Sequence, residues 1–185
     1  VAEGQGIGVD RMYGDMLRLG HPEPSIVEQD GASVLVVLSG ERPDVAWMRW
    51  LSKLGPDALN DLRLLMALHR LARQWWVDSS DLAPYLQVTG TEADHVLQRL
   101  SELTIDGGDL AYSIDGVPAG RTALGITASA WNLLVELGHE EGRKRHSPSR
   151  ESVALSYAQH SGRISTTELA SIVGAHSVSY THLRA

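Results

Sequence analysis

Thr91, His95, Gln98 and Arg99 fall on one side of a helix-forming stretch, opposite its apolar positions. These side-chain types can read base edges in a major groove, because glutamine pairs with adenine and arginine with guanine through two hydrogen bonds at once. Arg121, at the tip of an expected hairpin, would reach a neighbouring phosphate. Glu92, Asp94 and Glu102 accompany them and would repel a phosphate backbone. The same residues therefore also suit an acidic dimerising or protein-binding module, helped by an apolar stripe around Trp75 and Trp76. Both readings stand on the sequence.

Other chemistry is thin. Gly4-Gln5-Gly6-Ile7-Gly8 precedes a helix, an arrangement that exposes backbone N–H groups to a phosphate, but it lacks the lysine of a P-loop and taken alone reads as a plain turn. Arg143-Lys144-Arg145 with Arg150 would suit a phosphate-binding arm, and a solvated linker explains it better. The eight histidines show no His-Glu-x-x-His spacing, no Gly-x-Ser-x-Gly elbow occurs, and cysteine is absent. No catalytic residue and no metal site is expected. Lack of cysteine suits a reducing cytoplasm, and the longest clean apolar run, residues 34–38, is far short of the roughly 20 residues of a membrane helix.

The elements that must position these side chains follow from periodicity. Val9, Met12, Met16 and Leu19 recur at helical spacing, and Gly20 with His21-Pro22-Glu23-Pro24 ends that helix. Residues 26–28 and 34–38 read as two strands joined around Asp30-Gly31. A helix and two strands bury too little apolar area to stand alone, so the rest of that unit is expected upstream, and Val1 as first residue suggests a missing start. Residues 41–55 read as a connector whose short helix places Trp47, Trp50 and Leu51 on one side.

From Pro56 the pattern is helical, with one stripe through Leu59, Leu62, Leu65, Met66, His69 and Ala72 and a second through Leu64, Leu68, Leu71 and Trp75. Ser79-Ser80-Asp81 caps a short helix over residues 82–86, and Thr91 with Asp94 forms a capping box for a third helix that turns Ala93, Val96, Leu97, Leu100 and Leu103 inward. Residues 110–114 and 122–126 then form a hairpin, and a closing helix over 128–137 returns to the first. Helix, helix, turn, helix, hairpin is the order of a winged helix-turn-helix. The expected class is mainly α with small β: a winged helix-turn-helix over residues 56–138, preceded by a helix plus β-hairpin remnant of an α/β nucleotide-binding domain over residues 1–40.

Residues 139–150 have the composition of a linker, and residues 151–185 repeat the first half of the winged unit, with Ser165 and Glu168 as a capping box, so a second helix-turn-helix is expected and reads as truncated. Formal charge is −7 overall, and residues 57–138 hold five arginines against eleven carboxylates, so the unit with the reading helix is the acidic one.

The run Gly4-Gln5-Gly6-Ile7-Gly8-Val9-Asp10-Arg11-Met12, with Met16, Gly20, Pro22, Pro24 and the strand at 34–38, resembles the end of the ATPase-like domain in bacterial predicted transcriptional regulators of the RecG C-terminal-like, GHKL-like group. The resemblance covers about residues 3–40 and is similar to that family at Gly4, Gly6 and Gly8, the glycine box over a nucleotide's phosphates. It implies a long cytoplasmic parent with a Schlafen-like nucleic-acid-binding domain, an ATP-binding domain and C-terminal winged helices. On this basis the expected partners are double-stranded DNA and further copies of the chain, with no membrane, no metal and no cofactor in this stretch, ATP belonging to the parent. Residues 177–185 resemble translated sequencing-adapter read-through and are assigned no function.

Overall fold

The computed structural model describes residues 7–31, 33–117, 121–139 and 150–174. Among them 55% are helical and 16% lie in strands, a mainly α chain with small sheets.

The N-terminal helix α1 (Ile7–Arg18) is followed by an antiparallel hairpin, β1 (Ser25–Gln29) and β2 (Ser33–Val37). Asp30 and Gly31 turn it with φ of 48° and 67°, the left-handed backbone that an Asp-Gly pair adopts readily. The face of α1 expected inward is only partly used: Val9 and Leu19 are exposed, whereas Leu17 is fully buried. Leu17 wins because α1 lies against the long central helix and the Nε1–H of Trp47 donates to the Leu17 carbonyl at 2.8 Å. Gly20 closes the helix at φ 73°, and its carbonyl accepts the Asp44 N–H at 2.8 Å. A Cβ there would sit 2.6 Å from the Asp44 carbonyl oxygen, so only glycine fits. Both faces of the hairpin are open, with Ile26, Val27, Val34, Leu35, Val36 and Val37 exposed.

The connector helix α2 (Val45–Leu51) starts at Asp44, whose carboxylate accepts the Trp47 N–H at 3.0 Å, and it buries Trp47, Trp50 and Leu51. The helix expected to run on from Pro56 is two helices. A short α3 (Pro56–Asn60) stops because Asp61 caps a new start, accepting the Leu64 N–H at 3.1 Å, and α4 (Leu62–Gln74) follows. Leu64, Leu65, Leu68 and Leu71 on α4 are at most 2% exposed and form the centre of the core.

Trp75 ends α4 in the left-handed region, and a strand absent from the sequence reading, β3 (Trp76–Asp78), comes next. Asp78, rather than the serine pair after it, caps α5 (Ser79–Leu86) by accepting the Asp81 N–H at 2.9 Å. The third helix, α6 (Gly90–Ser101), opens two residues earlier than expected: Thr89 and Glu92 form the capping box, and Thr91 with Asp94 does not. The helix ends at Ser101, so Leu103 packs from the loop beyond it. A two-residue ladder, β4 (Thr104–Ile105) with β5 (Gly108–Asp109), turns through Asp106 and Gly107. The hairpin that follows, β6 (Ala111–Ser113) and β7 (Ala123–Ile126), pairs antiparallel.

β3 joins that hairpin at its other edge, giving a three-stranded sheet in the order β3-β7-β6 with Val77 opposite Leu124 and Tyr112 opposite Gly125. The closing helix α7 (Ala128–Glu136) was expected to return to the central helix; it packs on α2 instead, because the Nε1–H of Trp50 donates to the Ala130 carbonyl at 2.9 Å.

The last two helices, α8 (Arg150–Ser161) and α9 (Thr166–Val173), cover the far face of the three-stranded sheet. Val153, Ala154, Tyr157 and Ile172 bury Trp76, Ile114 and Ala123, and the Trp76 Nε1–H donates to Ser156 Oγ at 3.1 Å. The capping box of Ser165 and Glu168 opens α9 as the sequence indicates. Most of the basic linker and residues 175–185 lie outside the described residues.

Candidate nucleic-acid interface

Helix α6 is held by one face. Ala93, Val96, Leu97 and Leu100, spaced three and four apart, are at most 6% exposed and pack on α4, α5 and the sheet. The opposite face turns Thr91, His95, Gln98 and Arg99 to solvent, and Thr91, His95 and Gln98 form a row along it. The capping box fixes where the helix begins: the Thr89 N–H donates to Glu92 at 2.9 Å, and the Glu92 N–H donates back to Thr89 Oγ1 at 3.3 Å.

The charges around this row are mostly spent inside the chain. Arg99 is bound to Asp61, the cap of α4, and Arg63 reaches Glu92 at 3.3 Å. Both pairs are open to water, so each holds its arginine only weakly. Arg70 pairs with Asp81 at 2.8 Å. Burial raises the Asp61 carboxyl, but the Arg99 guanidinium and the Leu64 N–H outweigh it and hold the group below its ordinary 3.8. A carboxyl depressed in the fold stabilises it fully above the unfolded value and ceases to do so as pH falls through the folded one. Urea unfolding between neutral pH and about pH 3 should therefore show a shallower loss for Asp61→Asn than for the parent chain; parallel losses would remove Asp61 from the acid response.

Arg121 is placed differently from its expected position at a hairpin tip. Its Nη2 donates to Asp78 Oδ2 at 2.6 Å and to Ser80 Oγ at 2.7 Å, and the Asp78 side chain is 2% exposed. Taking Arg121 away would strand a buried carboxylate, so the guanidinium, though about a third exposed, is committed to Asp78. The hairpin is also held on its outer side, where the Asp115 N–H donates to Ser171 Oγ of α9 at 2.7 Å. The structure thus gathers Thr91, His95, Gln98 and Arg99 on one face and sets Arg121 apart.

Sequence reading missed Arg63, which stands beside the start of α6 only because α4 and α6 cross there. The stripe around Trp75 and Trp76 is consumed within the chain: Trp76 lies edge-on to Tyr157 at 5.0 Å and Trp75 edge-on to Trp131 at 5.8 Å. Of the glycine string, Gly4 and Gly6 lie outside the described residues, and Gly8 sits in the first turns of α1, exposed, with no heavy atom near the position of an added Cβ. Among the described residues no group of three or more histidines and carboxylates is placed to hold a metal ion, and no helix is long and apolar enough to cross a membrane.

Among solved structures the chain is similar to the DIP2311 protein from Corynebacterium diphtheriae, with a TM-score of 0.63 and 28% sequence identity over 73% of this chain and 26% of that one. This chain spans about a quarter of the length of that protein. No family model and no curated protein matches the sequence.

Proposed function

We propose that α4, β3, α5, α6 and the β6–β7 hairpin make a winged helix-turn-helix, and that α6 reads duplex DNA as part of a bacterial transcriptional regulator. The observation that carries this reading is the two-sidedness of α6, with one face sealed into the core and the row Thr91, His95, Gln98 exposed. A 12-residue helix is about 18 Å long and enters a groove about 12 Å wide. Gln98 would take an adenine edge, while Thr91 and His95 contact bases or sugar nearer the helix start. Arg63 and Arg99 would exchange their exposed carboxylate partners for phosphates at small cost, and Arg121 takes no part.

The wider setting follows the sequence resemblance: residues 1–40 as the end of a GHKL-like nucleotide-binding domain, ATP bound by a longer parent, and a cytoplasmic location that suits a chain without cysteine. The exposed apolar residues on both faces of β1 and β2 support that reading, since they suit strands inside a larger sheet.

A second reading, an acidic dimerising or protein-binding module without DNA contact, is favoured by the pairing of Arg63, Arg70, Arg99 and Arg121 with carboxylates. Fluorescence anisotropy of a labelled random duplex separates the two. DNA reading requires binding that weakens steeply from low to high salt and falls about tenfold or more in the double variant His95→Ala/Gln98→Ala. A chain that leaves the duplex free even at low salt supports the interaction module.

A further inference from the structure

A second group of arginines converges elsewhere. A cleft of about 590 Å³ opens where α1, α2, α4 and α7 meet, within the size range of small-molecule sites. Arg42, Arg49 and Arg73 line it, together with His21, the apolar surface of Trp47 and Leu134, and the linked pair Asp44–His139. Arg42 and Arg49 are exposed, and neither guanidinium makes a hydrogen bond or ion pair with another described residue, in contrast to the paired arginines beside α6. His21 Nδ1 is buried without a hydrogen-bond partner among the described residues.

Two carboxylates also line the cleft, the exposed Glu41 beside Arg42, and Asp44. Asp44 is bound by His139 Nδ1–H at 2.5 Å and by the Trp47 N–H at 3.0 Å, so its charge is already satisfied and does not oppose an anion as a free carboxylate would. Burial raises the Asp44 carboxyl, but the His139 and backbone N–H bonds outweigh it and keep it ionised. The other histidine on the lining, His69, is held by Glu23 at 2.9 Å and lies edge-on to Trp47 at 5.5 Å. Trp47 in turn stacks on Trp50, with ring centroids 5.4 Å apart.

We infer that this cleft is a binding site for a small organic anion, a phosphate or carboxylate carried on an apolar body. The oxyanion would lie between Arg42 and Arg49, with Arg73 behind, since forked guanidinium groups bind such anions through paired hydrogen bonds. The apolar body would rest on Trp47 and Leu134. Because the walls come from the N-terminal helix, the connector and the three-helix core together, an occupant would tie these parts to one another. The inference is independent of what α6 does.

Phenyl phosphate, benzoate and inorganic phosphate serve as probes, with phenol as the neutral counterpart, followed by tryptophan fluorescence and by the thermal midpoint of the full chain. Phenyl phosphate or benzoate should give saturable binding and raise the midpoint by mass action, inorganic phosphate should bind more weakly, and phenol should have no effect at matched concentration. The double variant Arg42→Gln/Arg49→Gln should keep the unliganded midpoint, both side chains being exposed, and weaken the anion at least about tenfold. Absence of a saturable response to either organic anion would overturn the inference, as would equal binding by phenol or undiminished binding by the double variant.

Discussion

Asp78→Ala is expected to lower the unfolding free energy by about 2–4 kcal/mol, because it removes the buried carboxylate of a half-buried ion pair and an N-cap together. Asp78 is 1% exposed, caps α5 at the Asp81 N–H, accepts from Ser80 Oγ at 2.7 Å and holds Arg121 at 2.6 Å. In the alanine variant the Arg121 guanidinium, about a third exposed, loses its nearest counter-charge. Asp78→Asn separates the two contributions, since asparagine caps a helix as well as aspartate but leaves Arg121 without a counter-charge. Adding Arg121→Met to Asp78→Ala should restore part of the loss, because an apolar pair of similar volume avoids the stranded charge. Urea unfolding followed by circular dichroism measures all three. A loss below about 1 kcal/mol in Asp78→Ala would show that the pair does not anchor the sheet to α5.

Trp50→Ala should cost a similar amount, about 3–5 kcal/mol, through the cavity left by a fully buried indole. Its location makes the consequence specific. Trp50 stacks on Trp47 and donates to the Ala130 carbonyl, so it bonds the connector directly to the closing helix. Trp50→Phe keeps much of the volume and loses the N–H, leaving the Ala130 carbonyl one donor short; its loss should be smaller by at least about half. Hydrogen exchange should then quicken in α2 and α7 before it does in α4. Uniform quickening across the chain would mean that Trp50 contributes bulk burial and no particular link.

The parts of the fold legible in the sequence are those written by local patterns. Apolar spacing located α6 and its inward residues Ala93, Val96, Leu97 and Leu100, and the Trp47-Trp50-Leu51 pattern located α2. Strand β3 was missed because three residues give no alternation to read, and it is a strand only because β7 offers it an edge. Two Ser/Thr-x-x-Asp/Glu patterns overlap at the start of α6, and the sequence reading named Thr91 with Asp94; the Glu92 side chain reaches back to the Thr89 N–H and sets the start two residues earlier. The covering of the sheet by α8 and α9 carries no local signal at all, since Trp76 and Ser156 are 80 residues apart.

The same distinction holds for the site. Exposure of Thr91, His95 and Gln98 followed from helical periodicity, which names the face opposite the core. The commitment of Arg121 to Asp78 and of Arg99 to Asp61 did not, because these pairs span 43 and 38 residues. Charge counting showed an acidic unit and left open which carboxylates would neutralise which arginines; the structure shows Arg70 and Arg121 half-buried with their partners and Arg63 and Arg99 held at the surface.

Amide chemical-shift mapping with a short random duplex at low salt tests the role of α6 most directly. The proposed reading requires the perturbed amides to cluster at residues 89–102 and beside Arg63, with α8 and α9 largely unmoved. Saturating duplex that leaves α6 unperturbed, or that moves only the helices behind the sheet, would contradict it.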